Sequence, residues 1–357
     1  MTASSAAASP RLRLAALGCG RVFERFHLPA LLTSPDWELT AAVDPAGERL
    51  RWISGLRPGI AAAASLAELG ADVHLDAVLV SSPPDTHCAL GSEGLRRGAH
   101  ALIEKPMALR PSEAASLLAL ARERGRQVWV GYNRRFRPAY LQLRERVRQA
   151  GPDRIRDIAC DLYSTPLGWG AVSGYLTVPE RGGDLLDDLA SHQLDLVPWI
   201  VGRPVEEVRA RFLRRDAHEV LAAIELRFAG GLVGRCRAGH GAGALERLQV
   251  RLDDRVLLAS PAGWSAARRV PRRWVERYLA LRTTLGNAGR RLGRRPGYTV
   301  ESFAGQLAAW AGAIRGGGPS VAADGAAGAR CVELVEACRH SLAVGGAWVA
   351  APAGRAS

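Results

Sequence analysis

One basic residue in the sequence has the type and setting that proton transfer requires. Lys105 is the only lysine among the 48 residues that are lysine or arginine, and it lies in the segment Glu104-Lys105-Pro106. Arginine stays protonated in proteins, whereas burial can shift the pKa of a lysine and let it exchange a proton. We interpret this lysine as a position that needs a titratable amine; chance survival in an arginine-rich composition is the alternative.

A second group of polar residues lies in the segment 182–202. Asp188 and His192 are four residues apart, and Asp195 follows three residues later, so all three would share one face of a helix. A carboxylate at that spacing can orient an imidazole and raise its pKa, which suits a general base. A solvated Asp–His pair on an amphipathic helix would give the same pattern, and the spacing alone is a weak signal.

The elements that position Lys105 follow from the first third of the chain. Short apolar segments predict strands at 12–17, 38–43, 76–82, 99–103 and 127–132, and the segment 112–124 has a helical pattern. Apolar strands that alternate with helices predict a parallel sheet covered on both faces. Lys105 directly follows the fourth of these strands, at the carboxyl edge where open parallel sheets bind ligands.

The first two strands end in residues that suit a dinucleotide. Gly18 and Gly20 follow the first strand, where they would allow a tight turn and the close approach of a pyrophosphate to a helix N-terminus. Asp44 ends the second strand, where its carboxylate would bind the ribose hydroxyls and repel a 2′-phosphate. NAD is therefore favoured, and NADP stays open because Arg49 is close in sequence. Phe23 stands where the fingerprint has a small residue, so a plain strand–turn–helix is the alternative.

The pattern changes near residue 155 and predicts a second, α+β domain. A helix is expected over about 184–200, and two strand-like segments flank Gly230-Gly231, which predicts a hairpin and hence an antiparallel sheet. Residues 303–315 and 324–344 again have a helical pattern. We predict a disordered lead at 1–10, a nucleotide-binding domain at 11–131 and a substrate and oligomerisation domain at 132–357.

Composition and charge narrow the class of protein. Hydrophobic residues make up 48% and charged residues 23%, which is typical of soluble globular proteins. No apolar segment is long enough for a membrane span or a signal peptide, and the six cysteines lack zinc-ligand spacing, so we predict a cytoplasmic protein without a metal or a membrane partner. The net charge is +13, and an arginine-rich stretch at 268–295 contributes to it. No nucleic-acid motif accompanies that stretch, so we predict no nucleic-acid partner.

The motifs together carry a family resemblance over nearly the whole chain. In order they are "GCGRVFERFHLPAL", "AVD", "SSPPDTH", "GAHALIEKPMAL", "VGYNRRFRPAY", "GGDLLDDLASHQLD", "LRFAGGLVG" and "SFAGQLAAWAGAIRGGGPSVAADG". The chain resembles the Gfo/Idh/MocA oxidoreductases, the family of glucose–fructose oxidoreductase and inositol dehydrogenase. The resemblance implies a Rossmann domain followed by an α/β domain with a mostly antiparallel open sheet, which often serves oligomerisation, so a homo-oligomer is expected.

The resemblance also implies an activity and a set of site residues. Hydride would pass between nicotinamide and the carbinol or keto carbon of a sugar, nucleotide sugar or cyclitol, and an anionic substrate would suit the basic stretch. Lys105 would lie beside the reacting hydroxyl, His192 would be the acid/base, and Asp188 would bind substrate or orient the histidine; which of Lys105 and His192 is the base stays open. The residues expected to line the cofactor are Gly18, Gly20, Arg21, Val22, Asp44, Ser82, Pro83, Pro84, His87, Glu104 and Lys105, and those expected to contact substrate are Arg135, Tyr163, Asp188 and His192.

Three departures and two other activities accompany this interpretation. Phe23 replaces a small residue of the cofactor loop, Asp184 replaces a glycine before the second motif, and Ala190 replaces the glycine of its DxG. None removes a catalytic group. Within the same fold, imine reduction or redox-assisted elimination would also use these residues. A non-catalytic NAD-binding partner protein would keep the glycines and Asp44 but would need neither Lys105 nor His192.

Overall fold

The structure is a computed structural model, and it describes nine segments of the chain. These are residues 9–70, 72–164, 178–216, 219–241, 245–253, 255–261, 263–267, 298–317 and 320–352. The arginine-rich stretch 268–295 lies outside them. Within the described segments, no helix has both the length and the apolar character to cross a bilayer.

A sheet of seven strands forms the first domain, and the five strands that the sequence predicted are parallel members of it. Its strands are β1 (Leu12–Leu17), β2 (Trp37–Val43), β3 (Ala61–Ala63), β4 (Ala77–Val80), β5 (His100–Ile103), β6 (Val128–Val130) and β14 (Ala323–Asp324). Their order is β14-β6-β5-β4-β1-β2-β3. All neighbours are parallel except β14, which is antiparallel to β6. The strand order reverses between β1 and β4, so a crevice forms at the carboxyl ends of these two strands, where ligands bind in such sheets.

Helices cover both faces of this sheet. They are a π-helical turn at Phe23–His27, α1 (Leu28–Leu32), α2 (Gly47–Leu56), α3 (His87–Arg96) and α4 (Pro111–Glu123). The start of α4 shows why the sequence predicts it well: the Glu113 carboxylate accepts the backbone N–H groups of Leu109 and Arg110, and Pro111 occupies the first turn. Two separate apolar cores lie on the two faces, as expected for a parallel sheet buried on both sides.

An eight-stranded sheet forms the second domain. Its strands are β7 (Asp157–Ser164), β8 (Val205–Arg215), β9 (Val220–Phe228), β10 (Val233–His240), β11 (Leu245–Arg251), β12 (Val256–Ser260), β13 (Gly263–Ala267) and β15 (Val349–Ala350), in the order β13-β12-β11-β7-β10-β9-β8-β15. Only β7 and β10 are parallel neighbours, so the sheet is mostly antiparallel, as expected. The predicted hairpin joins β9 to β10, and Gly230 and Gly231 take φ values of 84° and 82° in its turn.

The remaining helices pack on one or both of the two domains. They are α5 (Pro138–Ala150), a π-helical turn at Leu186–Ala190, α6 (Ser191–Val201), α7 (Tyr298–Ile314) and α8 (Gly325–Ala343), with 3-10 turns at Pro84–Thr86, Asn133–Phe136, Pro152–Arg154 and Pro179–Arg181. The α7 helix packs on the first domain, where Trp37 Nε1 donates to the Leu307 carbonyl at 2.8 Å and the Trp37 and Trp310 rings lie 4.5 Å apart. The C-terminal part of the chain therefore helps to complete the first domain. The domain boundary at residue 131 stays a prediction.

Candidate active site

The two motifs singled out in the sequence meet in an ion pair. Lys105 follows β5, and its Nζ donates to the Asp188 carboxylate Oδ1 at 3.0 Å and to the Asp188 carbonyl oxygen at 2.6 Å. Burial alone would raise the pKa of Asp188, but the Lys105 charge and a hydrogen bond from His240 hold it well below its usual range. Both side chains remain partly exposed, at 15% and 22%. The pair therefore joins the two domains around an accessible cation.

His240 completes a chain of three polar side chains, and sequence reasoning missed it. It is the last residue of β10, and its Nε2 lies 3.1 Å from Asp188 Oδ2. The only signal in the sequence is a histidine at a strand end before a glycine, which is too common to identify a site. The contact with Asp188 arises from the packing of the π-helical turn Leu186–Ala190 against β10.

His192 does not pair with Asp188, contrary to the expectation that the two would interact. Both carboxylate oxygens of Asp188 have other partners, and His192 Nδ1 is buried with no hydrogen-bond partner among the described residues. Burial and the positive charges of Arg134, Lys105 and Arg137 lower the pKa of His192 well below its usual value. The expected rise in this pKa is wrong, because Asp188 is engaged by Lys105 and His240 and not by His192. His192 is therefore neutral at neutral pH.

A buried carboxylate balances the arginines near His192. Glu246 on β11 accepts hydrogen bonds from Arg134 Nε at 3.2 Å and from the Tyr140 hydroxyl at 2.8 Å, and it forms an ion pair with Arg137. Although burial opposes ionisation, the two arginines lower the pKa of Glu246 to about 2. Glu246 thus stays ionised between two guanidinium groups on this side of His192.

The glycine loop has the shape that a pyrophosphate requires. Gly18 has a φ of 90°, and a Cβ atom there would lie 2.7 Å from the backbone nitrogen of Ser82. A Cβ atom on Gly20 would meet nothing within 4 Å. Asp44 fixes the loop, since its carboxylate accepts the backbone N–H of Cys19 at 2.7 Å and of Ala46 at 2.9 Å. The loop is therefore tight at Gly18 and open at Gly20, which fits a dinucleotide.

Phe23 and its neighbours show how the loop tolerates a large residue. Phe23 is fully buried in an apolar core and opens the π-helical turn Phe23–His27, which is wider than an α-helical turn. Arg21 and Val22, half-buried, form the link between Gly20 and this turn. The bulky side chain is thus accommodated within the first domain.

Two histidines connect the cofactor loops to the segment that holds Lys105. The ring nitrogens of His87 lie 2.7 Å from the Pro106 carbonyl oxygen and 2.9 Å from the Ser82 carbonyl oxygen. Burial lowers the pKa of His87. His27 Nε2 lies 2.8 Å from Glu104 Oε1, so this buried residue, which sequence reasoning also missed, links the π-helical turn to the residue before Lys105. The His87 contacts hold the loops after β4 and β5 against each other, and the His27 contact holds the turn after β1 against the loop after β5.

The other predicted residues lie in different surroundings. Pro83 precedes and Pro84 begins the 3-10 turn after β4, beside the crevice. Tyr163 is half-buried near the carboxyl end of β7, where it pairs in register with Gly239, one residue before His240. Arg135 is not brought to Lys105: its guanidinium lies in a buried ion pair with Asp195, with Nε at 2.9 Å from Oδ2. That partner indicates a structural role for Arg135.

Two protein-family models match this chain. The model described as "Oxidoreductase family, NAD-binding Rossmann fold" matches residues 12–132, and the model of the Gfo/Idh/MocA C-terminal domain matches residues 140–255. The chain belongs to the Gfo/Idh/MocA oxidoreductase family. The predicted order, a Rossmann domain followed by an α/β domain, is thus confirmed.

Curated relatives of this Gfo/Idh/MocA protein include dehydrogenases of cyclitols and sugars. It is 29% identical to a myo-inositol dehydrogenase of Streptomyces leeuwenhoekii over 56% of this chain and 58% of that protein. It is also 29% identical to D-glucoside 3-dehydrogenase of Escherichia coli over 59% of this chain and 60% of that protein. The chain spans about half to two thirds of the length of the curated relatives it matches.

Solved structures share the fold over almost the whole chain. The WlbA dehydrogenase of Bordetella pertussis, solved with NADH and UDP-GlcNAcA, matches with a TM-score of 0.78 at 22% identity, covering 96% of this chain and 98% of that one. The myo-inositol 2-dehydrogenase of Lactobacillus plantarum matches with a TM-score of 0.75 at 18% identity, covering 96% and 100%. At these identities the likeness shows the fold alone.

One departure from the Gfo/Idh/MocA pattern has a structural use. Asp184, which stands in place of a glycine, accepts the backbone N–H of Asp187 at 2.7 Å and a hydrogen bond from Arg339 of α8 at 3.0 Å. Arg339 also pairs with Asp187. Burial and the Asp184 charge raise the pKa of Asp187 to about 7, while Arg339 opposes the rise. The C-terminal helix thus holds the turn that carries Asp188.

Proposed function

We propose that this family member is an NAD-dependent dehydrogenase or reductase that acts on a CH–OH carbon of a polyol, sugar or nucleotide sugar. The observation that carries the proposal is the partly exposed Lys105–Asp188 pair. It lies after β5, at the carboxyl edge of the sheet that also holds the glycine loop. Proton donors at a reacting oxygen, next to a bound nicotinamide, are what reversible alcohol oxidation needs.

Lys105 is proposed to hold the reacting oxygen. An ammonium has three N–H donors, and two of those on Lys105 are accepted by Asp188 among the described residues. The third can donate to a substrate oxygen and stabilise the negative charge that develops as the hydride leaves its carbon. Asp188 keeps the ammonium in place, because its own pKa is held low and its carboxylate stays charged.

His192 is proposed to take the hydroxyl proton. A base must be unprotonated at the working pH, and burial together with three nearby cations keeps this imidazole neutral. The substrate O–H bond breaks toward the imidazole as the hydride passes to nicotinamide, which accepts it when bound. The base left open by the sequence is thus assigned to His192, and Lys105 steadies the oxygen.

The cofactor is proposed to be NAD. Asp44 lies at the end of β2 beside the glycine loop, and a carboxylate there disfavours a 2′-phosphate. The nearby Arg49 is engaged with Glu24, with Nη1 at 2.9 Å from Oε2, and so is less suited to bind that phosphate. We also propose a homo-oligomer and a cytoplasmic location; the open second sheet supports the first, and six unpaired cysteines support the second.

The test is a screen of NAD and NADP against polyols, sugars and nucleotide sugars, read by NADH fluorescence. In the Lys105→Met variant we expect turnover to disappear while NADH still binds. His192→Ala should lower the rate by roughly 10²- to 10⁴-fold, the range for a general acid/base. Arg110→Met is the matched control, because that side chain is close in sequence but 78% exposed. Full activity of Lys105→Met would refute the proposal. NADH binding without turnover of any substrate by the wild type would favour a non-catalytic NAD-binding protein.

A further inference from the structure

The backbone of His240 is fixed on both sides at the end of β10. His240 pairs in register with Val220 of β9 and Ser164 of β7. The next residue, Gly241, donates its N–H to the Ser164 carbonyl oxygen at 3.1 Å. An imidazole on such a backbone is held by strands rather than by a loop, so its position is well defined for recognition.

The His240 side chain shares one carboxylate with Lys105. Its Nε2 lies 3.1 Å from Asp188 Oδ2, and Lys105 Nζ lies 3.0 Å from Asp188 Oδ1. The side chains of His240, Asp188 and Lys105 are 20%, 22% and 15% exposed, so each can be reached by a small molecule. The two nitrogen atoms bind opposite oxygens of one carboxylate, so the ammonium and the imidazole are held on the two sides of Asp188.

The second ring nitrogen of His240 has the chemistry to bind a hydroxyl group. A charged carboxylate accepts hydrogen bonds only, so Asp188 selects the ring form that carries a proton on Nε2. Nδ1 is then an acceptor when the ring is neutral and a donor when it is protonated. A hydroxyl group can satisfy either form, since it both donates and accepts.

We propose that His240 is a substrate-binding residue that recognises a hydroxyl on the carbon next to the reacting carbon. The proposal rests on the proposed function, because the reacting oxygen is the one held by Lys105. The substrate class is therefore a vicinal diol, with one oxygen at the ammonium and its neighbour at the imidazole. A substrate without the second hydroxyl would leave Nδ1 unpaired, which is how a polar site rejects a deoxy analogue.

The experiment compares a diol with its deoxy analogues in variants of His240. The probes are the polyol that is oxidised fastest in the screen and its two analogues that each lack one hydroxyl next to the oxidised carbon. For each pair the measured quantity is the ratio of kcat/KM between parent and analogue. His240→Phe keeps a ring but no hydrogen bond, and His240→Gln keeps both a donor and an acceptor. The matched control is His74→Gln, since His74 is an exposed histidine 3.2 Å from an aspartate, Asp76, outside the site.

The wild type should discriminate against one of the two analogues by about tenfold or more. In His240→Phe that ratio should fall to within about threefold of unity, through loss of activity on the parent diol. His240→Gln should restore part of the ratio, and His74→Gln should match the wild type. NADH binding should be equal in all variants, which shows that they fold.

Other results would overturn the proposal. If parent and analogues lose activity equally in His240→Phe, the imidazole only positions Asp188 and does not touch substrate. If neither the rates nor the ratios change, His240 has no part in the reaction. If no polyol is oxidised by the wild type while NADH binds, the proposed function fails first, and the role of His240 fails with it.

Discussion

The buried ion pair between Arg135 and Asp195 allows a sharp test of what the arginine does. The guanidinium donates to both carboxylate oxygens, with Nε at 2.9 Å from Oδ2 and Nη2 at 2.5 Å from Oδ1, and the side chains are 9% and 2% exposed. Sequence reasoning placed Arg135 among the substrate contacts. If the structural role is correct, Asp195→Asn should lower stability and leave the KM for substrate unchanged.

The size of the effect follows from burial. Removing one partner of a buried ion pair leaves an uncompensated charge and costs about 3–5 kcal/mol. In Asp195→Asn the amide oxygen and the Val321 carbonyl oxygen, 3.4 Å from Arg135 Nη1, still accept hydrogen bonds, so the lower end, about 3 kcal/mol, is expected. At an m-value of about 3 kcal/mol/M, the urea midpoint would fall by about 1 M.

Replacing both partners should lower stability less than replacing Asp195 alone. Burial raises the pKa of Asp195 above its usual value although Arg135 opposes the rise, so the arginine does not fully offset the cost of burying the carboxylate. Replacing both partners by apolar residues, Arg135→Met with Asp195→Leu, should therefore recover most of the stability lost in the single variant.

Urea unfolding followed by tryptophan fluorescence measures both effects. Glu145→Gln is the control, because its pair with Arg148 is exposed and should contribute less than about 1 kcal/mol. An Asp195→Asn midpoint equal to that of the wild type would refute the reasoning. An unchanged midpoint with a raised KM would instead support the substrate contact that the sequence predicted for Arg135.

Two further predictions concern the glycine loop and Asp187. Gly18→Ala should lower the free energy of unfolding by at least about 2 kcal/mol, because φ is 90° and the new Cβ would lie 2.7 Å from Ser82 N. Gly20→Ala should unfold like the wild type in thermal unfolding but bind NADH more weakly. Equal stability of both variants would contradict this. Burial and the Asp184 charge raise the pKa of Asp187 to about 7. The contribution of this carboxyl group to stability is therefore fully present below about pH 4 and is lost as the pH rises through about 7. The free energy of unfolding of Asp187→Asn, measured by urea unfolding, should therefore rise relative to that of the wild type by about 1–3 kcal/mol between pH 5 and pH 8. A difference that does not change with pH would count against the raised pKa of Asp187.

The sequence predicted the sheets well because strand and helix signals are local. The first five predicted strands all occur, and their ends differ by a few residues, since apolar runs bounded by turn residues leave little choice. The hairpin over Gly230-Gly231 was predicted for the same reason. Lys105 could be assigned to the sheet edge because the strand before it was recognised.

The contacts within the site could not be predicted because they depend on pairs far apart in sequence. Asp188 and His192 are at helical spacing, yet the Asp188 carboxylate contacts Lys105 and His240 instead. Asp195 turns to Arg135, which lies 60 residues earlier. Each choice of partner is made by tertiary packing, which a periodicity argument does not contain.

The same packing gives His192 and His240 different surroundings. His192 lies on α6 beneath the site, where burial and cations keep it neutral and leave its Nδ1 without a partner among the described residues. His240 lies at a strand end, partly exposed and bound to a carboxylate. The first environment keeps a ring unprotonated, which a proposed proton acceptor requires at rest, and the second leaves a ring accessible to a neutral hydroxyl. The proposed division of proton transfer and recognition between His192 and His240 follows from these two environments.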